Sequence, residues 1–263
     1  MGTIKKITII GAGCLGKALT RQLHIKGFQI HEIVSRKKEE VESLCQLTGA
    51  AANFGDYDSV LPDADLYIVS VKDDAVFEIR KKLKIKDKLV VHTSGTLPFD
   101  ALKKCSSQFG IFYPLQTFSK NRIPDFEEIP FFVWASSSAS LLDLYDVAAA
   151  LSKKVFTAKE DKLKTIHLAA VFASNFTNHL LKISKDILEE NEIDFQILKP
   201  LVEETFKKAF ELSPEDAQTG PAKRGDCTTT DKHKSMLKRD DWRALYVLFS
   251  GMIREEYADK KKD

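Results

Sequence analysis

A glycine-rich turn near the amino terminus constrains the fold more than any other feature of this sequence. Residues 4–10 are rich in isoleucine, residues 11–16 read GAGCLG, and residues 17–26 follow a helical pattern that Gly27 ends. The order is therefore strand, glycine turn and helix, which is the context that a GxGxxG motif requires at the start of a βαβ unit. A glycine turn that binds no ligand is the less favoured alternative.

Each glycine of this turn has its own predicted role. Gly11 permits a tight turn, Gly13 lets the backbone approach a pyrophosphate, and Gly16 allows close packing of the helix. The helix amino terminus offers unpaired N–H groups to an anion. The turn therefore predicts a dinucleotide-binding loop whose cofactor contacts include Cys14 and Leu15.

Strands and helices continue to alternate along the first 158 residues. Further strands are predicted at residues 28–34, 66–71, 88–92, 110–113, 129–135 and 154–158, with helices at 37–48, 74–83, 98–104 and 138–152. Such alternation is typical of an α/β fold with a doubly wound, mostly parallel sheet, the Rossmann arrangement. We therefore expect a Rossmann domain over residues 1–158, and the residues after its second strand make it an NADP-binding domain.

The pattern becomes helical from Lys159 onward, so a mostly α-helical second domain is expected over residues 159–263. Helices are predicted at 161–191, at 195–212 and from Asp231 into the charged tail. The segment from Ile166 to Leu181 is apolar almost all round its helix, which a surface helix does not tolerate. It should therefore lie at the centre of the second domain or in a dimer interface.

Charge and cysteine content exclude several classes of protein. The chain carries 40 Lys and Arg against 38 Asp and Glu, and a net charge of +2 creates no global field toward nucleic acid or a membrane. The four cysteines form no CxxC pair, so neither a metal site nor a disulfide framework is expected. With no apolar run of membrane length and no signal peptide pattern, a cytoplasmic location is expected.

The end of the second predicted strand indicates the type of dinucleotide. An NAD enzyme normally has a carboxylate there, whereas this chain has Ser35 and Arg36 followed by two lysines. Arg36 can pair with the 2′-phosphate of NADP, and Ser35 can donate one more hydrogen bond. NADP is therefore predicted as the cofactor, with a solvated basic helix start as the alternative.

Two further strand ends carry polar residues where ligands bind in open α/β sheets. Val71 and Lys72 follow one strand, and His92 begins the run His92-Thr93-Ser94-Gly95 after the next. Thr93, Ser94 and the Gly95 backbone are predicted to reach the ribose or the nicotinamide amide. His92 could donate a proton near neutral pH, or could be a satisfied strand-end histidine, which is slightly favoured.

A polar stripe runs along the first helix of the second region. His167, Ser174 and Asn178 lie on one line at 100° per residue, with Asn175 roughly 80° around from His167. Polar groups in an apolar helix are costly unless they have partners. The stripe therefore either meets a ligand or forms an internal hydrogen-bond network, and the residues leave both open.

A loop punctuated by glycine and proline, residues 218–226, connects two predicted helices. Arg224 in this loop could hold a substrate carboxylate. An ordered helix connector, with the next helix capped near Thr230 or Asp231, is at least as well supported.

The sequence resembles the superfamily of pyrroline-5-carboxylate reductases, ketopantoate reductases, deazaflavin-dependent NADP reductases and β-hydroxyacid dehydrogenases. Within it, the chain is most similar to bacterial proteins that join a Rossmann-like domain to a helical domain of unknown function and are described as NADP oxidoreductases. The motifs that carry the resemblance are Ile9–Gly13, His92–Gly95, Tyr113–Phe118, His167–Ala170 with Asn175, and Thr219–Pro221 with Arg224–Asp226.

The resemblance implies a homodimer whose helical domains pack together, and a cleft between the Rossmann strand ends and the helix that bears Asn175. Two departures bear on the chemistry. Tyr113 stands where such proteins often have histidine, and Leu168 follows Lys164 by four residues where a β-hydroxyacid dehydrogenase has asparagine. The second departure weakens an assignment to hydroxyacid oxidation.

These features together predict hydride transfer between NADP(H) and a small carbonyl or imine substrate. Asn175 and His167 are the predicted groups for substrate polarisation and proton donation, with Asn178 beside them. The predicted substrate contacts are His92, Tyr113, Gln116 and Arg224. The alternatives are a module that binds or senses NADP without catalysis and, less favoured, a purely structural dimerisation protein.

Overall fold

The computed structural model describes residues 3–120 and 122–258, and the chain divides into two compact units. The first unit ends at Asn175 and the second begins at Phe176. The predicted domain boundary near Ala158 stays a prediction.

One sheet of eight strands lies at the centre of the first unit, as far as the described residues extend. Its strand order is β3-β2-β1-β4-β5-β6-β7-β8, and neighbouring strands are parallel except β6 with β7. The strands are β1 (Lys6–Ile10), β2 (Gln29–Val34), β3 (Ala51–Asn53), β4 (Leu66–Val69), β5 (Leu89–His92), β6 (Gln108–Pro114), β7 (Phe131–Ala135) and β8 (Val155–Thr157). The predicted fold class, a Rossmann doubly wound and mostly parallel sheet followed by a mostly helical region, is confirmed.

Helices connect several of the strands and make up most of the described chain after β8. In the first unit they are α1 (Cys14–Ile25), α2 (Lys38–Thr48), α3 (Asp73–Lys82), α4 (Ser138–Leu151) and α5 (Glu160–Ala170). A π-helical segment, Val171–Phe176, follows α5 directly. The remaining helices are α6 (Thr177–Glu189), α7 (Lys199–Leu212), α8 (Pro214–Ala217), α9 (Pro221–Arg224), α10 (Cys227–Met236) and α11 (Asp240–Ala258), with 3₁₀ turns at Phe126–Glu128 and Phe195–Leu198.

The core of the first unit lies on both faces of the sheet. Side chains alternate along a strand, so Ile9 packs in one cluster with Leu19 of α1, while Ile10 packs in a second cluster with Val76 of α3. Ile9, Ile10 and Leu19 are completely buried. Because both faces are covered by helices, the central strands β4 and β5 are almost continuously apolar, as parallel strands usually are.

The strand register brings the carboxyl ends of four strands to one edge of the sheet. Ile10 pairs with both Val34 and Val69, and Val69 pairs with His92. The residues that follow these strands therefore emerge side by side, which places the glycine turn next to the ends of β2, β4 and β5.

Several predicted local elements are wrong. Residues 98–104 form a series of turns rather than a helix, and β3 was not predicted, because Ala51, Ala52 and Asn53 have little strand propensity. The helix predicted from Asp231 begins at Cys227 instead, since the Asp226 carboxylate accepts a hydrogen bond from the Thr229 backbone N–H at 3.0 Å. That helix also ends at Met236, and α11 starts afresh at Asp240.

The long helix predicted at residues 161–191 is interrupted by the π-helical segment, where backbone bonds run from i to i+5. His167 lies before this segment and Asn178 after it. The prediction of a single line through His167, Ser174 and Asn178 is therefore wrong, since it assumed 100° per residue throughout. None of the residues of this segment or of α6 is buried, so the expected burial inside the second domain is not observed in the single chain.

Candidate functional site

The glycine turn has the backbone conformation that its sequence predicts. Gly11 has φ +114°, and a Cβ there would lie 2.4 Å from the Ser70 carbonyl oxygen. The Ser70 hydroxyl donates to the Gly11 carbonyl at 3.0 Å, which ties the turn to the end of β4. A Cβ on Gly16 would lie 1.8 Å from the Gly11 carbonyl oxygen, so α1 can pack this closely only with glycine at that position.

The amino terminus of α1 is arranged to receive an anion. Gly13 is its N-cap, and among the described residues no side chain caps this end by a hydrogen bond. A Cβ built on Gly13 would meet no atom within 4 Å. The first N–H groups of α1 and its positive dipole end therefore face open space that a phosphate can approach.

A cleft of about 480 Å³ opens along this edge of the sheet. It is lined by ten of the twelve residues predicted to contact the cofactor: Gly11, Gly13, Cys14, Leu15, Ser35, Arg36, Val71, Lys72, Thr93 and Ser94. Gly16 and Gly95 are not part of the lining, and each is packed so closely that an added Cβ would meet its neighbours. The lining residues that were absent from the prediction are Ala12, Val34, Lys37, Tyr57, Ser70, Asp73 and Ala75.

The end of β2 supplies two of the three cationic side chains that line the cleft, the third being Lys72. Arg36 and Lys37 are exposed and line it, while Ser35 is buried and its hydroxyl accepts from the Lys37 backbone N–H at 3.2 Å. Burial raises the pKa of the Tyr57 hydroxyl, and the nearby charge of Arg36 opposes that rise. Arg36 and Tyr57 therefore form one end of the cleft, although no pattern in the sequence pointed to Tyr57.

The hydroxyl of Ser94 has a structural function. It donates to the Asp73 carboxylate at 3.0 Å and accepts from the backbone N–H groups of Thr96 and Leu97. The Thr93 hydroxyl donates to the Val69 carbonyl at 3.4 Å. These bonds hold the loop after β5 in place, so a cofactor contact from Thr93 or Ser94 is better supplied by the backbone than by the hydroxyls.

His92 is buried at the end of β5, with 1% of its surface exposed. Burial lowers the pKa of its imidazole to about 4, because a charged ring cannot be hydrated there. Its Nδ1 accepts a hydrogen bond from the Ser94 backbone N–H at 3.3 Å. His92 is thus neutral near pH 7, which disfavours proton donation, but among the described residues its buried Nε2 has no hydrogen-bond partner, so the ring is not fully satisfied either.

Tyr113 and His167 form a hydrogen-bonded pair beside the loop after β5. The Tyr113 hydroxyl and His167 Nδ1 are 3.0 Å apart, with the rings in an edge-on arrangement. Tyr113 is near the carboxyl end of β6, and burial raises the pKa of its hydroxyl. A Cβ on Gly95 would lie 2.8 Å from His167 Nδ1, so the imidazole rests directly on the Gly95 backbone. The His167 imidazole therefore contacts Gly95, which is the chain neighbour of Ser94 in the cleft lining.

Two family models match the chain. One, described as NADP oxidoreductase coenzyme F420-dependent, matches residues 6–95, and the other, a domain of unknown function (DUF2520), matches residues 129–253. A solved structure of a candidate NADP oxidoreductase from Bacteroides fragilis is 41% identical, with a TM-score of 0.90 over 96% of this chain and 98% of that one. The chain belongs to this NADP oxidoreductase family.

More distant solved structures share the fold. A protein from Thermotoga maritima is 24% identical, with a TM-score of 0.71 over 97% of this chain and all of that one. A reductive aminase from Aspergillus terreus, in complex with NADPH4, cyclohexanone and allyl amine, is 12% identical, with a TM-score of 0.72 over 99% of this chain and 95% of that one. Among curated proteins, none matches in sequence.

Membership of the NADP oxidoreductase family confirms the predicted resemblance and the expected class of function. Within residues 3–120 and 122–258, no helix is long and apolar enough to span a membrane. In the same described residues, no three His, Cys, Asp or Glu side chains are grouped as metal ligands.

The remaining predicted site residues lie outside the cleft lining. Asn175, in the π-helical segment, and Gln116, just after β6, are both exposed. In the second unit, Asn178 is exposed on α6, and Arg224 ends α9. Next to Arg224, the Lys223 side chain donates to the Gln218 carbonyl at 2.8 Å and links the two ends of the loop, which supports the helix-connector interpretation.

Proposed function

We propose that this protein transfers hydride between NADP(H) and a small carbonyl or imine compound. The observation that carries the proposal is the Tyr113–His167 pair, which lies at the same sheet edge as the phosphate-binding turn. A ligand bound along the strand ends can contact both features, as ligands do in open α/β sheets.

The cleft fits a phosphorylated dinucleotide. Gly13 leaves room for the pyrophosphate in front of α1, and Arg36 with Lys37 provides charge for an additional phosphate at the end of β2. When bound, NADPH supplies the hydride. The protein then has to orient the reacting carbon and deliver a proton.

We assign the proton to the Tyr113–His167 pair. The buried Tyr113 hydroxyl stays protonated because its pKa is raised, and it shares a hydrogen bond with His167 Nδ1. One proton passes from this pair to the substrate oxygen or nitrogen as the carbon receives hydride, and the pair regains a proton from solvent.

Polarisation of the substrate remains assigned to Asn175, with Asn178 beside it, and Gln116 stays a further predicted contact. Arg224 stays the proposed group for a substrate carboxylate. Asn175 and Asn178 are both exposed on their helical segments and could present their amides to a ligand.

The test is oxidation of NADPH against a panel of imines, 2-oxo acids and oxidised deazaflavin. Tyr113→Phe keeps the ring but removes the hydroxyl, and should lower kcat on the accepted substrate at least about 100-fold. Asn175→Ala should lower kcat/KM, and Tyr145→Phe on the surface of α4 serves as the matched control. Turnover of no candidate, with NADP binding intact, would favour the alternative of an NADP-sensing module.

A second copy of the chain is the proposed cover for the apolar surface of the second unit. Ile197 is 68% exposed, Leu201 63% and Phe210 90%, and several large exposed apolar side chains in one stretch of chain indicate an interaction site more strongly than a single one does. Ile197→Glu combined with Leu201→Glu should convert a dimer to a monomer in light scattering. Ile25→Glu on the first unit, where Ile25 is 70% exposed, should leave the mass unchanged. A wild-type monomer at high concentration would refute the dimer.

We also propose a cytoplasmic location and a small-molecule substrate as the physiological ligand. All four cysteines are unpaired, which fits a reducing compartment.

A further inference from the structure

The turn that follows β3 lies against Arg36, which is part of the cleft lining. Gly55 in this turn has φ +92°, a backbone conformation that residues other than glycine rarely adopt. A Cβ built there would lie 2.6 Å from Arg36 Cγ and 3.3 Å from the Arg36 backbone nitrogen. The stem of the arginine therefore occupies the space that any other residue at position 55 would need.

This turn is held by buried polar groups and cannot easily move away. The Asn53 side-chain oxygen accepts from the backbone N–H groups of Gly55 and Asp56 at 3.1 and 2.9 Å, while its nitrogen donates to Glu32 Oε1 at 3.1 Å. The other Glu32 oxygen accepts from the Leu61 backbone N–H at 3.0 Å. Glu32 and Asn53 are 3% and 7% exposed, so breaking these bonds would leave buried groups without partners.

The end of β2 is fixed to the same scaffold. The Ser35 backbone N–H donates to the Asn53 carbonyl at 3.0 Å. The backbone at Arg36 therefore cannot shift independently of the turn. If a side chain were added at Gly55, the flexible arginine would be displaced before the turn or the strand.

We propose that Gly55 determines dinucleotide specificity by leaving room for the Arg36 stem, which directs the guanidinium into the cleft to meet the 2′-phosphate. Gly55 is a positioning residue, since it acts through Arg36 and touches no ligand itself. This inference rests on the proposed function, in which the cleft binds NADP.

Gly55→Ala tests the proposal by calorimetric binding of NADP+ and NAD+. The dissociation constant for NADP+ should rise about tenfold, the low end of what hydrogen bonds to charged groups contribute, and that for NAD+ should stay within a factor of two. Gly27→Ala is the matched control, because Gly27 has φ +89° and a Cβ there meets no atom within 4 Å. It introduces the same backbone strain without touching Arg36, and should leave both constants unchanged.

A second variant guards against simple unfolding. Gly55→Asn tolerates positive φ better than alanine and still brings a Cβ against Arg36. It should show the same selective loss of NADP+ binding, with a melting temperature close to that of Gly27→Asn. Equal weakening of both dinucleotides in either Gly55 variant would overturn the proposal, since that result indicates general damage to the cleft.

A double-mutant cycle shows whether Gly55 acts through the arginine. In an Arg36→Ala background, Gly55→Ala should cause no further loss of NADP+ affinity, because the shared interaction is already absent. A further tenfold loss would overturn the inference. If the wild type itself does not prefer NADP+ over NAD+, the proposed cofactor fails first; if it does and Gly55→Ala keeps that preference, only the role of Gly55 fails.

Discussion

The two units of this protein differ in where their apolar side chains lie. In the first unit, large side chains such as Tyr67, Phe112 and Phe131 are fully buried around the sheet. In the described part of the second unit, the buried apolar residues are Ala222, Trp242 and Tyr257, while Phe210 is 90% exposed. The first unit thus contains its own core, and the second presents apolar helix faces that fit a partner surface better than water.

The largest expected effect tests the core of the first unit. Phe112→Ala removes a buried ring that lies against Phe131, with centroids 5.1 Å apart, and should cost about 3–5 kcal/mol of unfolding free energy. Phe210→Ala in the second unit should change it by less than about 0.5 kcal/mol in dilute solution. Denaturant unfolding at low protein concentration measures both. A large loss from Phe210→Ala under those conditions would erase the contrast between the units.

The next largest effect is a loss of folding stability at acid pH, which should originate from a buried histidine in the first unit. The pKa of His92 falls from its ordinary 6.5 to about 4, so below pH 6.5 the unfolded chain binds a proton that the folded chain refuses. Stability is complete above pH 6.5 and declines toward pH 4, by about 2 kcal/mol between pH 7.5 and pH 5. His92→Gln should flatten this dependence in urea titrations, whereas His179→Gln on the exposed face of α6 should preserve it. An unchanged slope for His92→Gln would show that other groups cause the decline.

A smaller effect concerns the tight packing of His167. Gly95→Ala places a methyl group against the imidazole and should lower kcat about tenfold by displacing the Tyr113–His167 pair, while NADP affinity stays within a factor of two. Steady-state kinetics together with calorimetry separate the two quantities. Loss of affinity with kcat preserved would place Gly95 in cofactor binding instead.

The smallest expected effect belongs to the second unit. A Cβ at Gly251, within α11, meets no atom within 4 Å, so Gly251→Ala should stabilise the dilute chain by about 0.5–1 kcal/mol through helix propensity. Thermal unfolding over a range of concentrations is the measurement. Stabilisation that disappears as the concentration rises would indicate that a second copy of the chain packs against this glycine.

Much of the first unit was predictable because its signals are local. The apolar segment, the glycine spacing and the helix behind them are contiguous, and the basic residues from Arg36 follow directly on a strand. Less of the chain after β8 was predictable. The π-helical segment at the end of the first unit and the break between α10 and α11 depend on small differences in backbone bonding that apolar periodicity does not record.

Sequence alone determined that a glycine turn suited to phosphate follows the first strand of an α/β sheet. It also determined that the second strand is followed by a cation, Arg36, where a carboxylate is usual in NAD enzymes. Only the tertiary structure placed Tyr113 beside His167, 54 positions away in the chain, and Gly55 against Arg36. The reason is physical: periodicity and turn chemistry act between near neighbours, whereas these contacts depend on strand order and on which side chains the packed sheet brings together.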